Sequence, residues 1–340
     1  MRILHTAAVT IVALSMATAA VAQAPHYHVA NRFTIGGDGS WDYLAIDTVG
    51  HRLFIAHENR VTVVDPSNGH VLGEIPGLNR AHGVAFAYST GHGFVTSGGD
   101  STVVMFDLKT LKVLGKTIAA VDCDAILYDP ASGHIFTFNG DAGSASVLDA
   151  RTGKRIRNIT LPGKPEFGVT NGKGGVYVNI EDKSLVAEID SRTNRVTRQW
   201  SIAPCTSPSG LAIDVAHNRL FSGCHSKVMG ISDAVAGKLV ATAPIGTGVD
   251  ADRFDASTQY AFASTGDGKI TIVHEDSPNK FTVVDNITTM PGARTMALDP
   301  QTHRLYTVSA RFGPTPAAAA GQRRRPPILP GTFTLLVLER

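Results

Sequence analysis

The chain has 340 residues, with 31 Lys and Arg against 29 Asp and Glu, a formal charge of +2 and three cysteines. Charge this close to balance gives no argument for a nucleic-acid surface. Three cysteines are too few for a disulfide-built scaffold.

Residues 1–22 have an early Arg, an apolar middle and an Ala-x-Ala finish, which predicts a secretory signal peptide cut after Ala22. No later segment is apolar enough to span a bilayer. Residues 23–340 are therefore expected as one exported domain without a transmembrane segment, periplasmic in a Gram-negative source, and monomeric.

Along that domain one phrase returns: "AIDTVGHRLFIAH" from Ala45, "AIDVAHNRLFSGC" from Ala212 and "ALDPQTHRLYTVS" from Ala297. The intervals, 167 and 85 residues, are close to four and two steps of 42. Weaker copies fill the gaps, giving seven units that start near residues 39, 79, 121, 164, 205, 247 and 291. A step of this size marks propeller blades or solenoid turns. The second unit reads "HGVAFAY", "GFVTSG", "TVVMFDL" and "KVLGKTI", four short alternating strands separated by turn residues. Asp65, Asp107, Asp149, Asp190 and Asp233 recur at the third turn, where a short carboxylate can bond the backbone ahead of it.

These patterns predict an all-β, seven-bladed β-propeller with four antiparallel strands per blade. The last unit lacks a fourth strand, while "HYHVANRFTIGG" near the start reads as a fourth strand alone. The N-terminal strand should thus complete the last blade and close the ring. "VYVNIEDKSLVAEID" at 176–190 looks like a variant of the YVTN repeat. The whole domain resembles the YncE-like, YVTN-type seven-bladed propeller family of exported bacterial proteins. That resemblance implies the fold. For activity it implies only a mixed set, with a DNA-binding-like label and with lactone hydrolases and lyases in neighbouring families.

Aligned at the start of each first strand, the units present Asp42, His82, Asp124, Glu166, Ser209, Asp250 and Arg294. These should converge at one mouth of the axial channel. Crowded carboxyls repel one another unless Arg294 or a cation compensates, so the mouth is expected to hold a divalent cation or a cationic or polyhydroxylated ligand. Asp124, Glu166 and Asp250 are the candidate metal ligands. His57 and His82 are candidate proton carriers and Arg294 a candidate neutraliser of developing charge. Trp41, beside Asp42, could stack on a sugar or base ring or could pack within its blade. Cys205 and Cys224 flank a strand pair and are expected to form a disulfide clip on the mouth face, leaving Cys123 unpaired and unactivated. The insert at 311–331 replaces a turn of the last blade. Its Pro and Ala content predicts an extended or mobile lid carrying Arg323, Arg324 and Arg325.

No H-E-x-x-H, G-x-S-x-G or P-loop pattern occurs, and "GTGVDA" at 246–251 has no following helix to make a dinucleotide fingerprint. The leading expectation is a binding propeller for a small polar ligand, a cation or a protein partner. Two alternatives stand beside it: a metal-assisted hydrolase or lyase acting on a sugar-like or lactone substrate, and a single-stranded DNA binder.

Overall fold

An aromatic side chain near the start of each second strand anchors the repeat: Phe54, Phe94, Phe136, Tyr177, Phe221, Phe262 and Tyr306, all buried. Around these anchors a computed structural model, which describes residues 26–316 and 326–340, arranges the chain in seven four-stranded antiparallel sheets. The signal peptide and Arg323, Arg324 and Arg325 lie outside the described residues.

Six sheets are built from consecutive strands, with innermost strands Trp41–Asp47, Ala81–Ala87, Cys123–Asp129, Pro165–Thr170, Pro208–Asp214 and Val249–Asp255. The seventh runs from Met296–Leu298 through Leu305–Ser309 and Thr334–Glu339 to the N-terminal strand His28–Thr34. There His28 lies opposite Glu339 and Thr34 opposite Thr334, so the first described strand completes the last blade.

Alternating side chains pack between neighbouring sheets. Phe136 and Val147 of the third blade, for example, share a core with Val178 and Ile189 of the fourth. Polar ties lock adjacent blades near the axis. Thr96 donates to the carbonyl of Asp124 (2.5 Å), Asn179 Nδ2 to those of Ser209 and Gly210 (3.0 and 2.8 Å), and Ser264 to that of Arg294 (2.5 Å). The five recurring aspartates close the third turns, their carboxylates accepting backbone N–H groups of Ser67, Thr110, Thr152, Arg192 and Val235 at 2.7–2.8 Å. Cys205 and Cys224 form a disulfide with Cα atoms 5.5 Å apart.

Candidate functional site

Six innermost strands slip register soon after they begin. Trp41 pairs with His57, but Leu44 pairs with Ile55, and equivalent slips follow Ala81, Cys123, Pro165, Pro208 and Val249. Such a bulge sets an extra residue against its partner strand and re-aims a side chain. The residues caught in the slips include Asp42, His82, Asp124, Glu166, Ser209 and Asp250. In blades two to six a backbone N–H just past the second strand donates to the carbonyl two places before the ring residue. The pairs are Gly98–Arg80, Gly140–Asp122, Glu181–Lys164, His225–Ser207 and Gly266–Gly248, at 2.8–3.0 Å. One repeated backbone tie thus holds five ring residues at a common level.

The side chains form two groups. Asp42 accepts a hydrogen bond from Nδ1 of His82, which also lies 3.4 Å from Asp124 Oδ1. Across the ring, Asp250 accepts from Arg294 Nε (2.5 Å) and from Ser209 Oγ (3.1 Å). Glu166, between the groups, forms no ion pair among the described residues. Burial, then the charge of Asp42, pushes Asp124 up to about 7, with His82 opposing. Glu166 is driven well above the carboxylate range by burial and by Asp124 and Asp250. Asp250 is raised by burial against the pull of Arg294. Burial works against a charged His82, but the Asp42 hydrogen bond and the charges of Asp124 and Asp42 outweigh it, and its net shift is upward. At the mouth, the donor atoms that all lie within 4.8 Å of one another are those of Asp42, His82 and Asp124. Asp124 is common to this cluster and to the expected metal set. Glu166 and Asp250, the other two expected ligands, lie outside this cluster.

Other expected residues lie elsewhere. His57 is fully buried against Phe333, their rings 4.3 Å apart, and its Nδ1 accepts from Arg60 Nη2 at 3.2 Å. Burial and then the Arg60 charge lower it to about 4, so at neutral pH it is an uncharged packing residue. Trp41 is buried between Phe333 and Phe312, with ring separations of 5.3 and 6.1 Å. Phe312 belongs to the base of the 311–331 insert, where it bridges Ile328 and where Leu329 N–H donates to the Arg311 carbonyl at 2.8 Å. Cys123 is buried and its thiol is raised to about 12, chiefly by burial.

Behind the ring the channel is blocked. One position further along each strand stand Tyr43, Gly83, Ala125, Phe167, Gly210, Ala251 and Thr295. Tyr43 and Phe167 belong to blades one and four, so their side chains can touch only across the axis. They do so edge to face at 5.1 Å. The small residues of the other five blades leave the room. Arg253 of blade six lies over the Phe167 ring, 5.1 Å from its centre. The sequence signal for this plug is the pair of lone aromatics among small residues at one aligned position.

A second cluster also escaped the sequence. His217 Nδ1 lies 2.7 Å from Asp214 Oδ2 and 3.1 Å from Glu275 Oε1, at the far end of blade five. The matching aspartates Asp47, Asp129 and Asp255 each meet a donor from the next blade: Tyr88 (3.1 Å), Thr170 (2.5 Å) and His303 (2.7 Å). Asp214 meets a buried acid instead. Glu275 is raised to about 7 by burial and by Asp214, opposed by His217 and Arg219.

No protein-family model matches the chain. It is similar to proteins named YncE, themselves called uncharacterized, from Salmonella typhi (26% identity over 168 residues) and Salmonella typhimurium (25% over 168 residues). Each match covers 49% of this chain and 43% of the relative, so it spans less than half the relatives' length. Among solved structures, the hydrazine synthase of Kuenenia stuttgartiensis superposes with a TM-score of 0.69 at 13% identity. That superposition covers 87% of this chain and 96% of the other and shows the fold alone. Sequence and architecture together describe a YncE-like seven-bladed β-propeller.

Proposed function

We propose that this YncE-like propeller works in the periplasm as a binding protein, holding a divalent cation or a small cationic polar ligand in the acidic mouth. One observation carries the reading: four carboxyl groups, Asp42, Asp124, Glu166 and Asp250, face a single imidazole and a single guanidinium. With every group ionised the ring is two charges short of neutrality. At neutral pH the raised Asp124 and Glu166 cover part of that deficit with protons. A bound cation would displace those protons, so affinity should rise with pH. The Cys205–Cys224 disulfide suits an oxidising compartment, and among the described residues no helix is long and apolar enough to cross a membrane.

The hydrolase or lyase alternative needs a proton carrier open to the channel. His82 turns Nδ1 toward the carboxylates, while its Nε2 is buried against Gly98, where an added Cβ would lie 2.6 Å away. That orientation favours a positioned cation over a proton shuttle. The DNA-binding alternative needs exposed stacking rings, and both tryptophans are buried.

Calorimetric titration of Ca²⁺, Mg²⁺ and Zn²⁺, then of a short aliphatic diamine, into chelator-treated protein tests the reading. At least one titrant should bind saturably and release protons. The Asp124→Ala/Glu166→Ala double variant should weaken it by about tenfold or more. Absence of binding to wild-type protein, or equal binding by the folded double variant, would refute the proposal.

A further inference from the structure

Two positions beyond the plug, the seven strands present Ala45, Ala85, Leu127, Val169, Ala212, Arg253 and Ala297. Each lies directly opposite the aromatic anchor of its own blade, as Ala45 does Phe54 and Arg253 does Phe262. Six of these residues are small or aliphatic; the seventh is an arginine. Ala45, Ala85, Leu127, Arg253 and Ala297 wall a cavity of about 430 Å³ on the face opposite the acidic mouth. Its other walls include Phe86, Tyr88, Tyr128, Phe167 and Leu298.

Arg253 has no carboxylate partner among the described residues. Its Nη1 donates to its neighbour's carbonyl, Asp252 O, at 2.7 Å, and its face rests on Phe167. The adjacent acid does not serve as counter-ion. Asp252 points between blades five and six, where its carboxyl packs so closely on Gly223 that an added Cβ there would lie 2.5 Å from Oδ2. Asp252 is also held up to about 8, chiefly by burial, and is largely uncharged at neutral pH. An unpaired guanidinium half-buried against an aromatic ring is costly, and a carboxylate is the anion its planar fork fits in two-point contact. The aromatic and aliphatic walls demand an apolar body behind that carboxylate.

We propose that this far-face cavity is a second binding site, taking a small apolar monocarboxylate whose carboxylate pairs with Arg253 and whose ring or short chain packs among Phe86, Leu127 and Tyr128. The plug of Tyr43 and Phe167 separates it from the mouth, so the two sites bind independently.

Benzoate, its neutral isostere benzamide and inorganic phosphate are the probes, titrated by calorimetry or by ligand-observed NMR. Benzoate should bind wild-type protein with a dissociation constant of about 1 mM or tighter, and benzamide about tenfold more weakly or less tightly still. Phosphate, lacking an apolar body, should not displace benzoate. Arg253→Leu should weaken benzoate by about tenfold or more, Arg253→Lys by less, and Glu166→Gln at the mouth not at all. Should Arg253→Leu fail to fold, Thr48→Trp, which puts a large ring at another residue lining the cavity and leaves the arginine intact, should still abolish binding. The site is ruled out if wild-type protein ignores benzoate at about 10 mM, if benzamide binds as well as benzoate, or if folded Arg253→Leu or Thr48→Trp binds like wild type. Because Glu166→Gln alters only the mouth, failure there leaves this result readable, and the reverse also holds.

Discussion

The two ends of the axial channel are made by the same seven strands, a few residues apart, and they differ in kind. At the mouth, polar side chains sit in bulges at nearly every blade, and the carboxyls are crowded until their protons are hard to remove. At the far end the aligned positions are apolar in six blades, and one unpaired arginine faces a hydrophobic cavity. A propeller repeats its backbone and not its chemistry. One repeated scaffold can therefore offer opposite charge preferences on its two faces, provided something insulates them, and here the insulator is Tyr43 against Phe167.

Removing that insulator is the severest way to break the contrast. Phe167→Ala deletes the ring that both Tyr43 and Arg253 rest upon, and because that ring is half-buried it should cost about 3 kcal/mol in denaturant unfolding, the low end for a core phenylalanine. In the same variant the two ends should cease to bind independently, a cation at the mouth tightening benzoate at the far end. Next in size is the disulfide clip on the mouth side of blade five. A Cys205→Ser/Cys224→Ser variant should lose about 2–4 kcal/mol, with near-wild-type affinity for benzoate because the clip lies outside the far cavity.

The buried acid between the fifth and sixth blades gives a smaller effect with a definite pH signature. Asp252 titrates near 3.8 when unfolded and about 8 when folded, so the native state holds the extra proton and stability falls as pH rises through that window. Asp252→Asn should flatten the slope and exceed wild type by about 1–3 kcal/mol at alkaline pH, as read from urea midpoints between pH 5 and 9. Smallest is Glu166→Gln. Glu166 is likewise raised, so wild type and variant should match in acid and diverge as pH climbs, the variant gaining about 1 kcal/mol. That gain should shrink with salt if repulsion within the ring is its source.

The blade count, the closing strand and the seven ring positions were legible because each follows from a period of about 42 residues read in one register. Contacts between units were not. Nothing local in the sequence says that Tyr43 reaches Phe167 or that Glu275 is buried against Asp214, since a blade-to-blade or cross-axis distance depends on how the ring curves. His57 misled for a related reason. It occupies a second-strand end, a position that points toward the mouth face, yet Phe333 and Arg60 seal it. Arg253 was visible all along as the one charged residue in a column of small and aliphatic ones, but only a column drawn three places past the ring reveals it.

The seam in the last blade carries a different consequence. Its outermost strand, His28–Thr34, is held on one side by the register with Thr334–Glu339 and comes from the opposite terminus of the polypeptide. The last joint of the ring is therefore made by backbone hydrogen bonds between distant parts of the chain, so fraying of this one strand pair opens the whole circle.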